Sequence, residues 1–250
     1  MEIARVLAFF AAFVLFFAPA PLAQAHLPYL EEGAPEVTIE KPEISQIYYG
    51  WLEGGPAIYY ISSPKPFKLY LNLLSPQMSD ARVDFSANIY KEGELYDKMN
   101  GIDFVWLAFY EPFANDYYIK GPEYGKEVPA GTYQVEIYNS ANRGDYALSV
   151  GEKEDLSPGE FLRTLSVLPE VKEKFFGKNP WEAYHSFVGL IALVFIVIIL
   201  VAIYLTISAA WRRSLKDRLD GEDDEYKKNR KSRGENYFDL SEVQRLFGRR

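Results

Sequence analysis

The run Phe187–Ile207, FVGLIALVFIVIILVAIYLTI, is without charge over 21 residues, and it constrains the chain more than any other stretch. As a helix rising about 1.5 Å per residue it reaches about 31 Å, close to the roughly 30 Å hydrocarbon core of a bilayer. A buried core helix can also be apolar all round, but seldom at this length without a polar stripe. The segment 184–210 therefore reads as a transmembrane helix, dividing the chain into a large part before it and a short charged part after it.

Trp211, Arg212, Arg213, Lys216 and Arg218 crowd the end of this run, whereas Glu182, Tyr184 and His185 flank its start. Lys and Arg collect on the cytoplasmic side and Trp and Tyr at the interfaces. The sequence thus predicts a single pass of the cell membrane, with the N-terminal part outside and residues 211–250 in the cytoplasm. Trp181, Tyr184, Trp211, Arg212 and Arg213 are the expected membrane-interface residues, and the lipid bilayer is the first partner.

A second apolar segment, Val6–Ala18, follows Arg5 and precedes Ala23-Gln24-Ala25. A basic start, a short apolar run and a small-residue site describe a signal peptide over 1–25. Pro19 and Pro21 break that helix before it is long enough to cross. The mature chain would then begin at His26.

About 160 residues remain before the membrane, enough for one domain with its own core. The chain has no cysteine, so that domain must be held by burial alone. After Trp211 lie 12 Lys/Arg and 9 Asp/Glu, which is +3 of the chain's −8 and leaves −11 on the rest. An acidic outer part argues against nucleic acid as a partner.

From Val37 to Val150 the sequence reads as short strands: 46–52, 57–62, 67–74, 83–90, 104–110, 132–138 and 146–150. Each is rich in Tyr, Phe, Val and Ile and bounded by turn residues. Lys68-Leu69-Tyr70-Leu71-Asn72-Leu73 and Tyr133-Gln134-Val135-Glu136-Ile137-Tyr138 alternate as one-face-buried strands do. The expected fold is mostly β, an antiparallel jelly-roll-like β-sandwich over 26–155 followed by short helices and the membrane helix.

Pro129-Ala130-Gly131-Thr132-Tyr133-Gln134-Val135-Glu136-Ile137, followed by Asn142-Arg143-Gly144-Asp145-Tyr146-Ala147-Leu148-Ser149-Val150, resembles the last hairpin of pre-peptidase C-terminal domains. Gly50-Trp51-Leu52-Glu53-Gly54-Gly55 with Ala57-Ile58-Tyr59-Tyr60-Ile61 looks like the opening hairpin of the same fold. The resemblance covers about Ser45–Val150. Similar sandwiches occur in luminal GOLD-type domains, and the layout is similar to uncharacterised bacterial membrane-anchored proteins. These motifs are turns and core positions, so the resemblance implies a fold and brings no catalytic residue.

Three stretches offer candidate sites. Glu111–Gly125 reads as a loop that places Glu111, Asp116 and Glu123 among Phe113, Tyr117, Tyr118 and Tyr124, a mixture suited to sugar or peptide recognition. The competing reading buries those rings beneath the loop. Asp80, Asp84, Asp103 and Asp116 are oxygen donors for calcium, which some members of the resembling family bind, but no D-x-D-x-D-G loop exists. His26, as a new N-terminus, is a candidate copper ligand; the only other histidine is His185. Catalysis finds no support: there is no cysteine nucleophile and no H-E-x-x-H. No cofactor is expected.

Between sandwich and membrane, over 156–183, Ser157-Pro158-Gly159-Glu160 predicts a capped helix start. Phe161, Leu162, Leu165, Leu168 and Val171 then form an apolar stripe, and Pro169–Phe176 a second helical piece. The stripe is free to pack on the sandwich, the membrane or a partner. In the tail the blocks Asp220–Glu225 and Lys227–Arg233 read as disordered. Val243, Leu246 and Phe247 give a terminal amphipathic helix for docking. Two functions follow from this reading: a non-enzymatic envelope protein whose sandwich binds a polymer or protein partner, or an accessory subunit of a membrane transport, secretion or respiratory assembly. Oligomeric state is not readable from the sequence.

Overall fold

The computed structural model describes residues 26–32, 36–155 and 157–233. The segment expected to be a signal peptide and the tail residues Val243, Leu246 and Phe247 lie outside the described residues. Eleven strands form two sheets: β1 (Leu27–Glu31), β2 (Glu36–Ile39), β3 (Gln46–Glu53), β4 (Ala57–Ser63), β5 (Phe67–Pro76), β6 (Ser86–Lys91), β7 (Glu94–Met99), β8 (Leu107–Glu111), β9 (Asp116–Val128), β10 (Gly131–Tyr138) and β11 (Arg143–Val150). The six-stranded sheet runs β1-β3-β11-β5-β9-β8 and the five-stranded sheet β2-β4-β10-β6-β7.

Pairing is antiparallel except at two edges, where β1 lies parallel to β3 and β2 parallel to β4. Strands 46–53, 57–63, 67–76 and 131–138 match the sequence reading closely. β1, β2, β7 and β9 were not foreseen: the first two are short, β7 is half charged, and Gly121-Pro122 inside β9 reads as a turn. Asn72 resolves that last case, because its side-chain amide donates to the carbonyls of Gly121 and Pro122 across a bulge, so the strand bends without ending.

The core between the sheets follows from alternation. Leu69, Leu71 and Leu73 of β5 meet Tyr133, Val135 and Ile137 of β10, all buried, with Phe85, Tyr59 and Tyr146 around them. The phenols of Tyr59 and Tyr146 satisfy each other at 2.9 Å, as buried hydroxyls must. Gly121 sits beneath Trp106, whose ring would lie only 2.4 Å from an added Cβ. Gly144, with φ of 112°, occupies backbone that side-chain-bearing residues avoid.

After the sandwich come α1 (Pro158–Glu170), a π-helical turn (Val171–Phe175), a 3₁₀ turn (Pro180–His185) and α2 (Phe187–Ser232). Ser157 precedes α1, but its side chain makes no capping bond, and Glu160 instead accepts from Arg163 at 2.7 Å. Pro169, lacking an N–H, lies two residues before the helix widens. The apolar stripe packs on the sandwich: Leu168 and Val171 are buried, Phe161 and Leu165 half-buried, and only Leu162, 65% exposed, points out.

Two compact units divide at Ala192. Within the first, Val188 is fully buried beside Ala114, Leu168 and Ala183, so the first turn of α2 is part of the sandwich's foot. The second unit is helical through Ser232, and α2 as a whole is long and apolar enough to cross a membrane. The charged blocks expected to be disordered are thus helical to that point. Asp223 and Asp224 stand four residues before Lys227 and Lys228, the spacing and order that stabilise a helix.

Candidate functional site

The predicted loop is a hairpin. β8 ends at Glu111, four residues turn the chain with Asn115 at φ of 60°, and β9 departs from Asp116. Its residues therefore divide between two faces of a sheet instead of converging on one surface. Glu111 is buried, and its carboxylate accepts from the backbone N–H of Phe113 and of Ala114, each at 2.7 Å. Burial pushes its pKa up to about 7, against the pull of those two donors and of nearby Lys172.

Asp116 and Lys172 are both fully buried and face each other at 2.8 Å. Lys172 comes from the π turn, and its ammonium also donates to the carbonyls of Ala114 (2.6 Å) and Asn115 (3.1 Å). Lys178 adds a second contact to Asp116 at 3.1 Å from a half-exposed position. Asp116 Oδ2 has no hydrogen-bond partner among the described residues. Burial lowers the Lys172 pKa, and Asp116 opposes the shift. The arrangement bolts the helical segment to the hairpin, with Lys178 its one partly exposed member.

Tyr118 is buried and its hydroxyl meets that of Tyr49 at 2.8 Å, while Tyr124 is buried with Lys126 over its ring. Glu123 is exposed and paired with Lys120 at 2.6 Å. Phe113 packs against the foot. Of the seven loop residues, Tyr117 alone presents an exposed ring, stacked obliquely on Tyr110 with centroids 4.8 Å apart.

His26 shares a hydrogen bond with Ser45 through Nδ1 at 2.7 Å, with Ser149 at 3.4 Å. Burial, aided by the Lys120 charge, lowers its pKa to about 4. It borders two small cavities, one of about 10 Å³ beside Glu111 and one of about 50 Å³ beside Asn72 and Lys120. The first holds about one water and neither approaches the several hundred Å³ of a ligand pocket. Among the described residues no three His, Cys, Asp or Glu side chains stand together as metal ligands. The acids considered for calcium are dispersed: Asp84 pairs with Arg82, Asp103 accepts from Asn100, and Asp116 is in the foot.

The surface that stands out instead is β8. Leu107, Ala108, Phe109 and Tyr110 are all exposed, continuing from exposed Ile102, Phe104 and Val105. β8 is an outer edge of its sheet, with backbone groups on one side unpaired by any strand. The other edges are guarded. β1 contains Pro28 and is covered by α1, whose Arg163 donates to the Pro28 carbonyl at 2.8 Å and lies over the Tyr29 ring. β2 is four residues long, and β7 carries Glu94, Asp97 and Lys98. The sequence reading took 104–110 as one more strand of the sandwich; four consecutive uncharged residues without clear alternation, Leu107 to Tyr110, were the available signal of an exposed edge.

Just before α2, Trp181 and Tyr184 are exposed, their rings 5.6 Å apart on the 3₁₀ turn. Trp211, Arg212 and Arg213 are exposed on α2.

No family model matches the chain, and no curated protein does. Among solved structures it is similar to the pre-peptidase C-terminal domain of a collagenase from Bacillus anthracis, 13% identical over 48% of this chain and 97% of that one, with a TM-score of 0.31. It is also similar to part of a GH87 alpha-1,3-glucanase catalytic domain, 12% identical over 41% of this chain and 22% of that one, with a TM-score of 0.24. A beta-glucosidase from Paenibacillus barengoltzii is 11% identical over 53% of this chain and 14% of its own, with a TM-score of 0.22. At such scores the description of the fold rests on the strands and their pairing, not on these likenesses.

Proposed function

We propose that the chain is a non-enzymatic, membrane-anchored protein whose β-sandwich, held outside the cell by one spanning helix, binds a protein partner that adds an extended segment to β8. The observation that supports this is the bare β8 edge: its residues Leu107 to Tyr110 are exposed and uncharged and continue from exposed apolar side chains, where the other edges are covered, short or charged. Strand addition takes its affinity from main-chain hydrogen bonds and its selectivity from alternate side chains, and β8 offers both. An exposed stripe on α1 would favour the accessory-subunit reading, whereas Leu168 and Val171 of that stripe are buried. In this reading the buried Glu111, Asp116 and Lys172 hold the hairpin to the helical segment.

A photo-reactive residue at 107 of the full-length chain in native membranes tests the proposal. A single protein adduct in fixed ratio is expected, and Phe109→Lys should abolish it while shifting stability by less than about 0.5 kcal/mol, since the site is at the surface. An absence of protein adducts would count against the function.

A further inference from the structure

The spanning reading fixes a depth for the foot of the sandwich. If Phe187–Ile207 fills the hydrocarbon, Val188 lies at its outer boundary. Val188 is buried against Ala114, and its N–H reaches the Phe113 carbonyl at 3.4 Å. The turn of the β8–β9 hairpin is therefore at that boundary too. Tyr110 and Tyr117 are the second cross-strand pair from the turn, directly beyond Glu111 and Asp116. At about 3.3 Å per residue along a strand they stand within roughly 10 Å of it, in or beside a headgroup layer about 5–8 Å deep.

Residue types agree with that depth. Tyr110 and Tyr117 are exposed, their ring centroids 4.8 Å apart, and Tyr110 donates to Asn115 in the turn itself. Trp181 and Tyr184 are exposed only a few residues before α2, and their i, i+3 spacing in a 3₁₀ turn puts both rings on one face. Trp and Tyr are the residues whose apolar bodies and polar tips suit the headgroup level. Elsewhere in the hairpin, rings of the same type are buried and hydrogen-bonded, as with Tyr118, so these four are not exposed for want of a core position.

We infer that the tip of the β8–β9 hairpin is a lipid-docking surface: Tyr110 and Tyr117 enter the headgroup layer alongside Trp181 and Tyr184. The sandwich then rests on the bilayer through a protein element distant in sequence from the spanning helix. This rests on the membrane reading proposed above and adds to it a second contact with lipid. The upper part of β8, around Leu107, stays available for a partner strand.

The absence of cysteine allows a clean test. Single variants Tyr110→Cys, Tyr117→Cys, Glu127→Cys and Leu200→Cys of the full-length chain are labelled with an environment-sensitive fluorophore and reconstituted in phosphatidylcholine vesicles. Some lipids carry a nitroxide either near the headgroup or deep in the acyl chain. Glu127 is the control, exposed and eleven residues along β9 from Asp116, roughly 30 Å or more away. Labels at 110 and 117 should lose emission to the shallow nitroxide, the label at 127 should not, and the label at 200 should respond to the deep one. If 117 is quenched no more than 127 while 200 is quenched, the hairpin stands clear of lipid and the inference is overturned, with the spanning helix intact. A label at 200 that ignores the deep nitroxide removes the spanning reading and this inference with it.

Discussion

Glu111 and His26 share the same small cavities yet pull stability in opposite directions with pH. The folded Glu111 carboxyl titrates near 7 against an ordinary 4.5, so between those values the fold holds a proton that the unfolded chain has released. Stability from this group therefore falls as pH rises from about 4.5 to 7. His26 titrates near 4 against an ordinary 6.5, so the unfolded chain takes a proton that the fold refuses, and stability rises from about pH 4 to 6.5. Asp84 and Asp97, held low by Arg82 and Lys126, act below that window. His26→Gln should leave the Glu111 slope unopposed, giving a melting temperature that falls relative to wild type across pH 5–7; Glu111→Gln should do the reverse. Parallel melting curves for His26→Gln and wild type at every pH would refute the assignment.

At the scale of elements, the Lys172–Asp116 pair joins two segments that are 56 positions apart in numbering, the π turn and the hairpin. Removing one member of a buried pair strands the other, so Lys172→Met should lower stability by about 3 kcal/mol. Lys178, half exposed, recovers only part of that. Replacing both, Lys172→Met with Asp116→Leu, should return most of the loss, and denaturant unfolding of the two variants separates these outcomes. This cluster shows where the sequence reading stopped. The helix start at Pro158, the stripe from Phe161 to Val171 and the alternating strands β5 and β10 were legible because each repeats a local period. A single lysine among Val171, Glu173 and Phe175 has no period, and its burial depends on a carboxylate from a distant strand. Asp116, Tyr118 and Tyr124 were read as loop ligands because Gly121-Pro122 hid the length of β9; the bulge at Asn72 that accommodates the dipeptide is a tertiary fact.

For the whole molecule, the orientation argued from Trp211, Arg212 and Arg213 predicts opposite labelling of two engineered cysteines. With an impermeant thiol reagent on intact cells, Ser62→Cys should react at once and Lys228→Cys only after the membrane is opened; the opposite order would invert the topology. The same scale explains why the final hairpin carried the clearest sequence signature. β10 lies between β4 and β6 in one sheet, and β11 lies between β3 and β5 in the other. Neither sheet has a continuous middle until its strand arrives, although β3 begins 97 residues before β11 and β4 begins 74 before β10. β3, β4, β5 and β6 must each wait with one edge open, and contacts that close loops this long form slowly. A sandwich built in this way cannot assemble progressively as it emerges; it closes late and as one, when residue 150 is at last free to join Gln46.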